Sequence, residues 1–176
     1  MNIEITNIKI FDKMSEETNA FHATIRIDGK PVGEAKNSGK GGMTDYYATH
    51  HDFLPLIKEA EEHCKQLPPL KLSNGGALPM DLELYIDTKV EDFIRQRETE
   101  KMKKKIQKQQ DTAIVFGTEL SFRAAHWSLK SGKKAPISFM LEKHPDEVKK
   151  QVETIKGLLK PGERILNTNL PKEFLL

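Results

Sequence analysis

The chain has 176 residues, of which 37% are hydrophobic and 31% are charged, with a formal net charge of +2. This length predicts one ordinary domain or one domain with an added element, and the single cysteine excludes a disulfide scaffold and a zinc site of paired cysteines. The sequence has neither a signal-peptide pattern nor the roughly 20 apolar residues of a membrane span, so we expect a cytoplasmic protein without a membrane partner.

Residues 1–67 are expected to form an antiparallel sheet covered by one helix. Alternating isoleucines over 3–10 predict a strand with a bulge at 6–7, and strict alternation over 21–27 predicts a second strand. Asp28-Gly29 is a hairpin-turn signal. The return strand, residues 31–36, is expected at a sheet edge because Pro31 has no backbone N–H to donate to a neighbouring strand.

A helix is predicted over residues 52–67, with Asp52 as its N-cap and Pro55 in its first turn. Its apolar residues fall within about 100° of the helical wheel, so this face is expected to cover the sheet. Cys64 lies at the centre of that face, which favours core packing over a reactive thiol. Three prolines and two glycines in residues 68–79 predict a linker between two lobes.

The segment 80–110 predicts one long helix that changes character after Ile94. Between Arg95 and Lys108 there are seven basic residues and two acidic ones. The helical stripe that is apolar upstream becomes basic, and it carries Arg97, Lys101, Lys104, Lys105 and Lys108. We therefore expect the helix to leave its domain near Arg95 and to project.

The remaining sequence predicts a mixed C-terminal part. A short strand is predicted over 113–117, whereas 120–129 is compatible with either a strand or a helix. Helices are predicted over 136–143 and 145–160, followed by an edge strand at 164–166. The apolar tail, 170–176, is expected to dock on the domain.

The expected fold class is therefore α+β, with an N-terminal antiparallel sheet packed by a helix, a long and partly projecting basic helix, and a mixed α/β C-terminal part. The predicted organisation is a first lobe over 1–67, a linker over 68–79 and a second lobe over 80–176. One continuous domain is the alternative.

The basic helix is the main functional signal. Lysines and arginines along one face suit a polyanion, because each cation neutralises a phosphate and releases counterions. Lys130, Lys133 and Lys134 in a predicted loop, and Lys40 in a glycine-rich stretch, add positive charge if they share that face. Trp127 is either a base-stacking residue beside these cations or a core anchor. We expect a non-catalytic protein that engages nucleic acid or the acidic surface of a nucleic-acid-handling protein.

The alternative function is a protein–protein adaptor or inhibitor, such as an accessory protein of a mobile element. The helix would then be a docking arm, and Met102 and Ile106 on its other side would form a homodimer contact. An enzyme is the third hypothesis, with His50, His51, Asp45 and the glycine-rich stretch as candidates. Because no catalytic motif is present, we expect no cofactor and no metal.

Overall fold

The structure, a computed structural model, describes residues 1–175. The chain divides into two compact units, the first covering Met1–Arg95 and the second beginning at Gln96. One helix, α2, is continuous across this division and runs over Leu82–Gln110. Among residues 1–175, no helix combines the length and the apolar composition that a bilayer-spanning segment requires.

The first unit is built on a four-stranded antiparallel sheet of order β1-β2-β3-β4. Its strands are β1 (Ile3–Ile10), β2 (Phe21–Ile27), β3 (Lys30–Asn37) and β4 (Asp45–Ala48). The predicted bulge is confirmed: the β1–β2 register shifts between Thr6 and Lys9, and Asn7 has φ 51°.

The predicted edge position of the return strand is wrong. β3 lies between β2 and β4, and β4 is the edge strand that the sequence did not reveal. Pro31 is tolerated because β4 pairs only with Gly33–Lys36, so no β4 residue is placed to accept a hydrogen bond from position 31.

Helix α1 (Leu54–Lys65) covers the sheet as predicted. Ile57, Ala60 and Cys64 are buried in one cluster with the inward side chains of β2 and with Leu82 and Ile86 of α2. The predicted cap is wrong, because Asp52 lies in a 3-10 turn (His51–Phe53) and the helix begins after Phe53, which makes no side-chain cap.

The segment 68–79 contains a small hairpin and lies inside the first unit. Its strands are β5 (Leu70–Lys71) and β6 (Ala77–Leu78). The predicted linker was expected to separate two lobes, whereas the compact units divide at Arg95.

The second unit places a three-stranded antiparallel sheet between two helical layers. The sheet has the order β8-β7-β9, with β7 (Ala113–Gly117), β8 (Phe122–His126) and β9 (Arg164–Ile165). Helices α3 (Ile137–Lys143) and α4 (Pro145–Lys156) lie between β8 and β9 in the chain, and α5 (Lys172–Leu175) follows β9. The ambiguous segment 120–129 thus contains a strand, and the predicted strand and helices on either side of it are confirmed.

Strand β7 is buried on both faces, which fixes the positions of the helices around it. Ala113 and Val115 share a buried cluster with Ile106 of α2. Ile114 and Phe116, which point to the opposite face, pack with residues of α3 and α4. The second half of α2 therefore covers one face of this sheet, and α3 and α4 cover the other. The tail docks through Leu170 and Phe174; Leu176 lies outside the described residues.

Candidate nucleic-acid interface

The basic face of α2 consists of side chains that share one side of the helix within the second unit: Arg97, Lys101, Lys104, Lys105 and Lys108. At 100° per residue they occupy an arc of about 100°. The four lysines are exposed and Arg97 is half-buried. Ile106, which is 6% exposed, lies on roughly the opposite side. The burial of Ile106 against β7 thus turns the basic face towards solvent.

The four lysines of the basic face have no carboxylate partner in the part of the chain that the structure describes. Among residues 1–175, Lys101, Lys104, Lys105 and Lys108 form no ion pair. Lys103 lies on another side of the helix, and its Nζ is 3.2 Å from Glu100 Oε1.

Three cations elsewhere in the second unit are paired with carboxylates: Arg123 with Glu163, Arg164 with Glu119, and Lys156 with Glu153. Within residues 1–175, the lysines of the second half of this helix that form no ion pair therefore all lie on the basic face.

The two compact units carry opposite net charge. From residue 96 onward there are 17 Lys and Arg residues against 10 Asp and Glu residues, a net charge of +7. Residues 1–95 carry 11 Lys and Arg against 16 Asp and Glu, a net charge of −5. The overall charge of +2 conceals this separation. The basic face therefore lies in a unit whose whole field attracts anions.

Lys134 connects the predicted basic loop to the end of α2. Its Nζ lies 3.2 Å from His126 Nε2, and His126 Nδ1 lies 3.2 Å from the carbonyl oxygen of Thr112, two residues beyond the helix. Lys130 and Lys133 are exposed on the same hairpin loop, which is closed by the hydrogen bond from Leu129 N to Lys133 O. The loop therefore lies at the C-terminal end of α2.

Lys40 is the one predicted site residue that lies in the first unit. It is exposed in the first unit, in a turn whose glycines Gly39 and Gly41 have positive φ. The backbone N–H groups of Glu16 and Glu17 donate to the Gly39 carbonyl, so Lys40 lies beside an acidic segment. An acidic neighbourhood weakens its attraction for a polyanion.

The predicted dimer contact loses one of its two residues. Ile106 is buried inside the second unit, so it does not offer a surface to a second copy. Met102 is half-buried. A dimer through this side of the helix would therefore depend on Met102 without its apolar neighbour.

The candidates for an enzyme are exposed and do not converge. His50 Nδ1 accepts a hydrogen bond from the backbone N–H of Asp52 at 3.3 Å and lies 3.2 Å from its carboxylate. Within the described range, 1–175, no group of three or more His, Cys, Asp and Glu side chains is arranged to hold a metal ion. Burial, with a smaller contribution from Asp81, raises the pKa of the Cys64 thiol to about 11. A thiol in this state is a poor nucleophile.

Sequence reasoning missed the polar residues that fix the end of α2. Gln110 is buried, its Nε2 donates to the Leu166 carbonyl, and its Oε1 accepts from both the backbone and the hydroxyl of Thr168. Asn169 Nδ2 donates to the Gln110 carbonyl. The available signal was the polar run at 167–169 inside an otherwise apolar tail. These bonds hold the basic face in place from its C-terminal end.

Comparison with protein-family models, with curated proteins and with solved structures finds no match for this chain.

Proposed function

We propose that this protein is a non-catalytic binding protein that engages the phosphate backbone of nucleic acid through the basic face of α2. The observation that carries the proposal is the set of four exposed lysines, without an ion pair to any residue of 1–175, on the side of the helix opposite buried Ile106. Each lysine that contacts a phosphate releases condensed counterions, which favours binding. Such a partner accords with the cytoplasmic location that we expect from the sequence.

The dimensions of the basic face suit a phosphate backbone. At 1.5 Å per residue, positions 97 to 108 span about 16 Å of helix. Duplex DNA carries one negative charge per about 1.7 Å of its axis, so several phosphates come within reach of this face. No aromatic side chain lies among the lysines of this face. The helix should therefore contact the backbone rather than the bases.

An acidic protein surface is the competing partner, since it would use the same lysines. The adaptor hypothesis also included a homodimer contact through Met102 and Ile106, and the burial of Ile106 removes one of these two residues. The net charge of +7 in the second unit extends beyond the helix and favours a long, uniformly charged partner.

The test compares two charge reversals of equal size. Lys104→Glu with Lys108→Glu changes the basic face, and Lys149→Glu with Lys150→Glu makes the same charge change on α4, which packs on the other face of the sheet. All four lysines are exposed, so the fold should tolerate either pair. We expect the first pair to weaken binding of a labelled nucleic acid at least tenfold more than the second, as measured by fluorescence anisotropy.

Equal losses in the two variants would contradict a specific role for the basic face. If the wild-type protein bound polyglutamate but neither single-stranded nor duplex nucleic acid, the partner would instead be an acidic protein.

A further inference from the structure

An open depression in the second unit brings aromatic side chains next to the basic hairpin loop. It encloses about 500 Å³, and its lining includes Trp127, Lys130, Ser131, Phe139, His144 and Glu147. These residues come from three places in the chain, namely the hairpin after β8, helix α3 and the start of α4. Folding alone brings them together.

The aromatic residues present open ring surface in this depression. Phe139 is 38% exposed, although its helix is anchored by buried Ile137 and Met140 on either side of it in the sequence. Its ring lies 6.0 Å from the His144 ring, centroid to centroid, with an angle of 55° between the planes. Trp127 is half-buried, so it both packs on the core and lines the depression. A flat aromatic ligand would gain stacking contacts at such a surface.

Charged side chains of both signs line the depression. Lys130 belongs to the lining, and Lys133 and Lys134 are exposed on the same hairpin. Glu147 also lines the depression, and its Oε1 lies 3.3 Å from His144 Nδ1. A carboxylate disfavours a phosphate next to it, whereas the lysines of the loop favour one. The surface beside Glu147 thus suits an uncharged ring, and the loop suits the phosphates on either side of that ring.

We infer that this depression binds an unstacked base of a single-stranded nucleic acid whose phosphates lie on the hairpin loop and on the basic face of α2. Bases in a duplex are stacked on their neighbours, so only a single strand, a loop or an end can present one. This inference rests on the proposed function, because the lysines of α2 supply the sequence-independent part of the affinity. The loop joins the two sites, since Lys134 is linked through His126 to the residues just beyond α2.

The first experiment uses the only tryptophan of the chain as a reporter. The probe is a homopolymeric single strand of about 12 nucleotides, compared with the same strand carrying abasic sites in place of its bases. The intact strand should quench the fluorescence of Trp127 and bind about tenfold or more tightly than the abasic strand, because stacking on aromatic side chains strengthens binding by that order. Deoxyribose and ribose versions of both strands distinguish DNA from RNA.

The second experiment compares a variant inside the depression with one outside it. Phe139→Leu keeps an apolar side chain and removes the ring, while Leu120→Ala changes a 68% exposed side chain of the same unit outside the depression. Phe139→Leu should bring the affinity for the intact strand close to that for the abasic strand. Leu120→Ala should leave the difference between the two strands unchanged, and Phe139→Trp should restore it.

The outcomes separate the two proposals. Intact and abasic strands that bind equally tightly, with unchanged Trp127 fluorescence, overturn the base pocket and leave the backbone interface standing. A wild-type protein that binds a duplex but neither single strand overturns the base pocket alone, and one that binds none of the three overturns both proposals. Two results together support both proposals. The Lys104→Glu, Lys108→Glu variant loses binding to both strands, and Phe139→Leu in the otherwise wild-type protein removes the difference in affinity between the intact and the abasic strand.

Discussion

The carboxamide of Asn167 pairs with the backbone of Val115 as a strand residue would. Val115 N donates to Asn167 Oδ1 at 2.6 Å, and Asn167 Nδ2 donates to the Ala113 carbonyl at 3.0 Å. β9 pairs only with Phe116 and Gly117, so the rest of this edge of β7 has no strand beside it. A side chain thus satisfies backbone groups that would otherwise be buried without a hydrogen bond.

Asn167→Ala should lower the free energy of unfolding of the second unit by about 3 kcal/mol, because it leaves a buried N–H and a buried carbonyl without partners. Urea denaturation followed by circular dichroism measures the loss. Asn169→Ala is the control, since Asn169 is exposed and its loss should cost about 1 kcal/mol. Equal losses in the two variants would show that the position of Asn167 has no special role.

Binding should depend steeply on salt. Four lysines that each neutralise one phosphate of a duplex predict a slope of log K against log salt of roughly −3 to −4. Lys104→Glu with Lys108→Glu should reduce the magnitude of that slope by about 2. Titrations at several salt concentrations give the slope. A slope near zero would indicate that phosphate contacts contribute little to binding.

Ile106→Ala should destabilise the second unit rather than dissociate a dimer. The side chain is 6% exposed among Ala113, Val115 and their neighbours, so its truncation should cost about 3 kcal/mol. Light scattering should give the same mass for the variant as for the wild type. A halved mass with unchanged stability would instead restore the predicted dimer contact.

The Cys64 thiol should resist modification in the folded protein. It is fully buried, and its pKa is raised to about 11, so the reactive thiolate is scarce at neutral and mildly alkaline pH. Labelling with a disulfide reagent should be slow in buffer and fast in denaturant. Labelling at the rate of the denatured chain in buffer would mean that the cluster around α1 opens readily.

The carboxyl of Asp87 should make the first unit less stable at neutral pH than in mild acid. Burial, reinforced by Glu83 and Glu91, raises the pKa of Asp87, against a lowering by the hydrogen bond from Thr44 Oγ1. A raised pKa means that the folded state binds the proton more tightly. The contribution of Asp87 to the free energy of unfolding is therefore fully present below the pKa of this carboxyl in the unfolded chain. It is lost as pH rises from that pKa through the raised pKa of the folded state.

Asp87→Asn tests this expectation, because an amide oxygen can still accept the bond from Thr44. The variant should be more stable than the wild type at neutral pH, and the difference should shrink in acid, where the wild-type carboxyl is protonated in both states. A difference that stays constant with pH would indicate that the carboxyl is not desolvated.

The sequence predicted those elements whose pattern is local. The alternation over 21–27 and the helical spacing that buries Ile57 and Cys64 each predicted one element and the face it buries, because side chains alternate along strands and recur every three to four residues along helices. The concentration of lysines after Ile94 is a local pattern as well. Strand β4 was missed because its tyrosines and polar residues lack strict alternation.

The chain by itself therefore determined the α+β class, most element positions and the residues of the basic face. Only the tertiary structure decided which side of α2 is buried, since Met102 and Ile106 stand alone among lysines and the partners of Ile106, Ala113 and Val115, lie beyond the end of the helix. The same holds for Trp127 and Phe139, which line one depression although no local pattern connects them. Contacts between distant segments depend on how the layers pack, and helical or strand periodicity carries no information about that packing.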